Sequence, residues 1–387
     1  MKKNLAIIIL FLFAILAIQI LPNNGVVWAD ELSDSIRDQL QSIDFSELND
    51  FLEGIPEVSN QYDFFSMVSS SLNGEYVSDY NSILDYFINL FFSGICKVVP
   101  IFISILAISI FCGIMQNSRS SFAEESVSNV TFWVCFLSII LLLSTTLIGF
   151  WDTIKNAIEN IAKFSEIMSP IMLSLMVAAG GNVSASMYSP TVAFLSSGII
   201  NVVLTIVLPL IGVVTIFSII SNFSSAVKIN KLIEFIYGVI KWILGITVTV
   251  FTLFLSVNGI SGASHDGVTM KLAKYTISNS IPIVGGFLRD GFDVVVAGSV
   301  LIKNAIGIGG IFILFYIIIA PTLSLAAFSL MIKLVAGLIE PVTDPRLSSL
   351  CMSISKCISY LNACLLSVGF MFFITILLMT FSVNAFI

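Results

Sequence analysis

The residue types able to do chemistry crowd into one stretch of this chain, between Asn258 and Lys303. It holds the single histidine, His265, beside Asp266-Gly267, then Lys271, Lys274-Tyr275, Asn279, Pro282, Gly285-Gly286, Arg289-Asp290, Asp293 and Lys303. A neighbouring His and Asp could supply a proton acceptor and its orienting carboxylate. Such a pair needs a nucleophile or a metal to act on, and neither GxSxG nor HExxH occurs. A solvent-facing or helix-capping pair is therefore the expectation for His265 and Asp266. Asp290 and Asp293 fall in a polar loop rather than at matched depth in two spans, which argues against intramembrane aspartyl chemistry. The six cysteines include no CxxC, and four-ligand zinc sites use tighter pairs than Cys351, Cys357 and Cys364 offer. No Walker A motif is present, so the chain does not energise transport by hydrolysing ATP itself. No catalytic, cofactor or metal site is assigned.

What these residues do suggest is a passage. Polar, Gly- and Pro-rich backbone at membrane depth is tolerated only where protein buries it or water lines it. Broken segments are also the sequence-level pointer to a substrate or ion pathway. On that ground Asp266, Gly267, Lys271, Lys274, Asn279, Pro282, Gly285 and Gly286 are the candidate pathway residues. The plainer alternative is an extracytoplasmic loop with two surface helices.

Six long apolar bands must position this stretch. They run roughly 95–115, 130–150, 192–220, 238–258, 304–332 and 358–384, each near or above the ~20 residues needed to cross a ~30 Å hydrocarbon core. Hydrophobic residues make up 57% of the chain and charged ones 11%, against about 25% charged in a soluble domain, so a soluble fold is excluded. The expected fold class is all-α: a polytopic membrane protein with about six transmembrane helices in three hairpins. Amphipathic and re-entrant segments and a small helical extracytoplasmic N-terminal head complete it.

The chain divides into a leader (1–29), an acidic head (30–92) and a multi-pass domain (93–387). Lys2 and Lys3, the apolar run Leu5 to Leu21, and Val27-Trp28-Ala29 form a secretory signal with cleavage expected after Ala29, in preference to an uncleaved anchor. Residues 30–92 carry 13 of the 24 acidic residues and one base, Arg37, for a net charge of −12. That excess repels nucleic acid and anionic lipid. The head reads as helical: Leu32, Ile36, Leu40 and Ile43 follow a helical period, as do Phe45, Leu48, Phe51 and Leu52, with Gly54 and Pro56 as stops and Ser78-Asp79 capping a second helix. So short a segment builds little core of its own, so its helices are expected on the membrane surface or against a partner. With the head outside, loops 151–191 and 259–303 are also outside; loops 116–129, 221–237 and 333–357 are inside. The positive-inside rule agrees at Lys228, Lys231, Lys333, Arg346 and Lys356. It does not agree at inside loop 116–129, with Arg119 against Glu124 and Glu125, nor at outside loop 259–303, with four bases against three acids. The signal peptide is the stronger argument for this topology.

Loop 151–191 is expected to hold an interfacial amphipathic helix. Its apolar stripe is Trp151, Ile154, Ile158, Ile161 and Phe164, with Lys155, Glu159, Lys163 and Glu166 placed for i,i+4 ion pairs. The apolar run Pro170 to Ala179, too short to cross, reads as a re-entrant half-helix ending at Gly180-Gly181. Segments 170–258 and 282–384 share an order of elements, and the pairs Pro170/Pro282, Pro209/Pro321 and Gly198/Gly310 share an offset of 112, which suggests a parallel repeat. Pro209 and Pro321 should kink their spans. Lys97, at the outer edge of the first span, is expected to snorkel to the headgroups.

The chain resembles the stage III sporulation protein AE family of endospore-forming bacteria. The resemblance is carried by Leu255-Ser256-Val257-Asn258-Gly259, Asp266-Gly267-Val268, Lys271-Leu272-Ala273-Lys274-Tyr275, Ser278-Asn279, Ile281-Pro282-Ile283-Val284-Gly285-Gly286, and Leu301-Ile302-Lys303-Asn304-Ala305-Ile306-Gly307. It covers essentially the whole chain, the head in character alone. It implies a component of the complex linking mother cell and engulfed forespore, made in the mother cell and set in the outer forespore membrane. Its implied companions are a cytoplasmic secretion-type ATPase and ring-forming proteins, and the assembly is implied to serve as a channel or feeding tube required for late forespore gene expression. Membrane lipid is the other expected partner, and nucleic acid is not.

Three readings follow. The first is a permease-like subunit that forms or scaffolds the membrane passage. The second is a self-contained secondary transporter, suggested by the broken repeated segments. The third is a membrane anchor recruiting the ATPase through loops 221–237 and 333–357, for which Lys228, Lys231 and Arg346 would be the contacts.

Overall fold

The computed structural model describes residues 40, 43–54, 64, 68, 80–117, 125–223, 229–280 and 285–383. The leader, most of the head, Ser78-Asp79 and Pro282 lie outside the described residues. All regular structure among them is helical: α1 (Ser46–Glu53), α2 (Tyr80–Asn117), α3 (Glu125–Ala178), α4 (Asn182–Phe223), α5 (Asn230–Ser280), α6 (Gly285–Ile339) and α7 (Pro345–Phe381). Six of these, α2 to α7, are long and apolar enough to cross a membrane and match the six bands one for one. The chain is a polytopic all-helical membrane protein.

The helices are longer than the bands. At 1.5 Å per residue, α3, α5 and α6 each run about 77–83 Å, more than twice a ~30 Å hydrocarbon core. The reading of residues 151–191 is corrected accordingly: α3 passes without a break through the expected amphipathic segment and through Pro170. Neither a separate surface helix nor a re-entrant half-helix forms. The stripe Ile154, Ile158, Ile161 and Phe164 is fully buried, so it faces protein rather than headgroups. The ion-pair expectation holds at Lys155–Glu159, 3.8 Å apart on the solvent side. Part of what covers the stripe is the head, where Phe51 of α1 stacks on Phe164 with ring centroids 6.2 Å apart. Leu48 and Leu52 bury the same face of α1, and α1 ends at Gly54 as its sequence foretells. The Ser46 hydroxyl and amide hold the Asp44 carboxyl below its ordinary range just before α1. Helix α1 of the head thus packs on its own chain.

Helices α6 and α7 form the centre. Of their most apolar windows, 61% and 67% of residues are buried, against a third or less in the other four, so those four must carry the outer surface. Small and hydroxylated residues line the α6–α7 seam, as expected where lipid offers no hydrophobic drive between helices. Ser329 and Ser355 exchange hydrogen bonds at 2.9 Å, with Ser359 3.2 Å from Ser329. Asp344 caps α7 by accepting the Arg346 amide, with Pro345 in the first turn.

Helix α4 is not a plain α-helix. It contains two π-helical segments, Phe194–Ile199 and Val203–Val207, the second directly before Pro209. A proline has no amide to give its helix, and the wider π turns absorb that mismatch. Pro321 by contrast sits inside a continuous α6. The matching offset of Gly198 and Gly310 has no matching role: Gly310 lies under Met168 of α3, whereas Gly198 faces its own neighbour Phe194.

The apolar bands are out of step along the bundle axis. Phe150 packs on Phe328, and Met168 on Gly310, so α3 and α6 are antiparallel and residues before 150 lie opposite residues beyond 328. Gly94 lies beside Ser324 and Gly113 beside Val342, so α2 runs parallel to α6 at the same displacement. The bands of α2 and α3 are therefore displaced by about 25–30 Å from those of α6 and α7, at 1.5 Å per residue.

Candidate functional site

The candidate stretch is helical almost throughout, and this corrects its reading as a loop. Residues 259–280 continue α5, and Gly285 and Gly286 open α6. The side-chain surroundings of Asn279 fall outside what is described, as does Pro282. His265 and Lys271 are exposed, and Gly267 is half-buried. Asp266 is the residue the bundle closes over, at 1% exposure.

Its role follows from the start of α4. The preceding turn at Ala179–Gly181 reverses the chain through Gly180, whose φ of +86° lies in the region open to glycine at no steric cost. The residue before α4 is Gly181, which has no side chain to cap the helix. The first amides of α4 therefore need an outside acceptor. Asp266 supplies it from α5: one carboxylate oxygen accepts the Val183 amide at 2.8 Å and the other accepts the Ser184 amide at 2.9 Å. Two charge-assisted bonds and the positive end of the α4 dipole compensate a buried carboxylate. The helix-capping expectation for Asp266 holds, with the difference that it caps a helix 83 residues away in sequence.

Asp266 is one member of a row. Asn258, Gly262, Asp266, Met270 and Lys274 recur every four residues along α5. Asn258 donates to the Thr191 hydroxyl at 3.0 Å. At Gly262 the backbones approach so closely that a Cβ would lie 2.8 Å from Ser184 Cα. Met270 folds over Gly180. A four-residue row advances about 40° per step on a helix of 3.6 residues per turn. By Lys274 the row has therefore turned from α4 towards α6, where Lys274 pairs with Asp293 at 2.8 Å.

The end of α7 closes the same corner. Val383 packs on Gly181, and the fully buried Lys303 of α6 donates to the Ser382 carbonyl. The sequence-level site is thus split. Asp266 and Lys274 hold helices together, while Lys271 stays outside. Gly262, already notable in the sequence of this stretch, belongs to the arrangement. Met270, Thr191, Ser184 and Val383 belong to it too and were not singled out by the sequence, although the Asn-Gly-Asp-Met spacing of four was there to be read. Among the described residues no cluster of His, Cys, Asp or Glu could hold a metal ion. The Tyr237 hydroxyl and the Cys357 thiol, 3.0 Å apart, satisfy each other within the bundle. The arrangement binds helix to helix: it fixes the turn between α3 and α4, and hence where α4 begins.

Residues 62–382 match the family model described as stage III sporulation protein AE. Stage III sporulation protein AE from Bacillus subtilis (strain 168) is 30% identical over 273 residues, covering 70% of this chain and 68% of that one. No solved structure matches.

Proposed function

Because the chain belongs to the stage III sporulation protein AE family, we propose that it is a permease-like membrane subunit of a sporulation channel, or feeding tube, linking mother cell and forespore. In this reading it sits in the mother-cell-derived outer forespore membrane with its head outside the cytoplasm. Its partners are the other subunits of that assembly, a cytoplasmic ATPase and ring-forming proteins among them. Its contribution is to scaffold the passage.

The observation that supports this reading is the displacement of the bands. One flat bilayer about 30 Å thick covers either the α2–α3 belt or the α6–α7 belt, and the other belt needs protein around it. Exposed apolar side chains extend over both, from Val134, Leu137 and Leu141 on α3 to Leu253 and Val257 on α5. A self-contained transporter would carry one belt in register. The Asp266 corner points the same way, since Asp266 and Lys274 are spent on joining helices.

The test is made in sporulating cells whose own copy of this chain is replaced. With Asp266→Ala made at a normal level, a late forespore reporter should fall to background and co-purification of the channel subunits should be lost. Full reporter activity from a normally accumulated Asp266→Ala chain would overturn the scaffold reading. Coupled solute uptake by the purified chain alone in vesicles would replace it with the transporter.

A further inference from the structure

A cavity of 610 Å³ opens between α2, α3 and α6, well away from the Asp266 corner. Its size is within the roughly 300–1,000 Å³ of small-molecule sites. Among the described residues lining it, Lys97 is the one charged group, joined by Asn156 and Asn160 one turn apart on α3. The other polar liners include Thr153 and Ser324, whose hydroxyl protons go to the carbonyls of Gly149 and Ala320 and leave their oxygens as acceptors. Pro321 and Ile317 form part of the wall. Pro321 has no amide, so the Ile317 carbonyl lacks its helical donor and is one more acceptor there. The cavity therefore presents one cation and two carboxamides beside a set of acceptors, all on an apolar bed that includes Val98 and Phe150. A complementary ligand carries one negative charge next to hydrogen-bond donors, with an apolar body attached.

The level of the cavity favours a lipid as the source. Lys97 follows Gly94, which lies beside Ser324, so the cavity sits where the inner end of the α6 band meets the outer end of the α2 band. At that level Lys241 lies over the Tyr360 ring, and Lys356 over Tyr237. Tyr360 adjoins Ser359, which bonds Ser329 of α6. Lysines and tyrosines gathered at one level mark a headgroup boundary. Phe92 and Ile148, each close in sequence to lining residues, are 59% and 63% exposed and offer a surface for acyl chains.

We propose that this cavity binds the headgroup of an anionic phospholipid, with Lys97 on the phosphodiester, Asn156 and Asn160 beside it, and the Ile317 carbonyl and Ser324 oxygen accepting from headgroup hydroxyls. Lys97 then does not snorkel freely but is held by a specific ligand. The proposal is independent of the channel reading, because it is tested on the isolated chain.

The full-length chain in mild detergent is equilibrated with equal amounts of phosphatidylglycerol and phosphatidylcholine, and retained lipid is read by native mass spectrometry. Phosphatidylglycerol should be retained in preference. Lys97→Gln should lower its retention about tenfold or more, the size of one charge-assisted hydrogen bond, and Lys97→Arg should keep most of it. Asn160→Leu, which keeps the cation, should lower it less and serves as the reporting variant should Lys97→Gln not fold. Lys271→Gln, on an exposed helix face, should change nothing. Equal retention of phosphatidylcholine, or undiminished phosphatidylglycerol on Lys97→Gln, would overturn the proposal. Displacement of the lipid by millimolar inorganic phosphate would also overturn it, by making a free anion the ligand.

Discussion

Replacing Asp266 by Asn tests the corner with little change of volume. The carboxamide keeps one acceptor but turns a donor towards the other amide, so either Val183 or Ser184 loses its partner. A hydrogen bond to a charged group contributes about 1.5–3 kcal/mol, and an amide left unmet costs about 1–3 kcal/mol. Loss of the favourable charge at the α4 N-terminus adds about 0.3–1 kcal/mol. Against this, a buried charge is removed, which returns part of its desolvation cost. The net expectation is a loss of about 2–3 kcal/mol for Asp266→Asn, and of similar or larger size for Asp266→Ala, which leaves both amides unmet. The chain carries its own reporter: Cys112, Cys135, Cys351, Cys357 and Cys364 are buried, so a thiol-reactive dye reads unfolding in detergent. At about 2 °C per kcal/mol for a large domain, Asp266→Asn should lower the apparent Tm by about 4–6 °C relative to the parent chain. Lys271→Ala, on an exposed site of the same helix, should leave it unchanged. A Tm for both Asp266 variants within about 1 °C of the parent would refute the capping argument, because the α4 amides would then need no partner.

The close approach at Gly262 predicts that Gly262→Ala destabilises by about 1–3 kcal/mol, since the added carbon meets Ser184 backbone. Gly245→Ala, with open space around it, should gain up to about 1 kcal/mol; the same thermal assay checks both. The Lys274–Asp293 pair is partly exposed, so reversing either charge should cost about 0.2–1 kcal/mol, and the double reversal should recover part of that. A double-mutant cycle with no coupling would remove this pair from the account. For the orientation, a chain with Cys96 replaced and His265→Cys introduced should be labelled by a membrane-impermeant thiol reagent from the extracytoplasmic side. Lys231→Cys should be labelled only after the membrane is opened, and the reverse pattern would invert the topology.

The six helices were legible because each band is long enough to be unambiguous. The course of α3 was misread because Lys155, Glu159, Lys163 and Glu166 interrupt its hydropathy. Phase carried the information that the average lost: Leu143, Leu147, Ile154, Ile158, Ile161, Phe164, Met168 and Met172 are all buried and keep one helical face in register across the supposed boundary. The turn at Gly180-Gly181 was foreseen as an end, but as the end of a half-helix rather than of an unbroken α3. The Asp266 corner was legible only as a cluster of polar residues and glycines. Its partners lie more than 60 residues away, in the first turns of another helix, and no local pattern encodes which helix end a carboxylate will cap. The displacement of the bands was not legible at all, because it depends on how α2 and α3 slide against α6, which side-chain contacts such as Phe150–Phe328 decide.

That displacement has a measurable cost. On one face of α3, Val130, Val134, Leu137 and Leu141 are 53–66% exposed. Leaving side chains of this kind in water rather than burying them costs about 1.5–3 kcal/mol each when complete, so these four, a little over half exposed, together carry roughly 4–7 kcal/mol. That is comparable to the ~5–15 kcal/mol by which a folded domain survives. Stretching one bilayer over both belts is no remedy, since mismatch costs fractions of a kcal/mol per Å and the offset is about 25–30 Å. Protein cover is what the proposed channel reading would supply, and in detergent such cover would be replaced by detergent. The purified chain should therefore carry markedly more bound detergent than a single-belt membrane protein of equal mass, measured by light scattering with refractive index and absorbance. Co-expression with the proposed partner subunits should reduce the detergent bound per chain. A detergent mass that fits one belt, unchanged by the partners, would mean that α2 and α3 sit in register with α6 and α7 in the membrane, and the argument for an obligate subunit would fail.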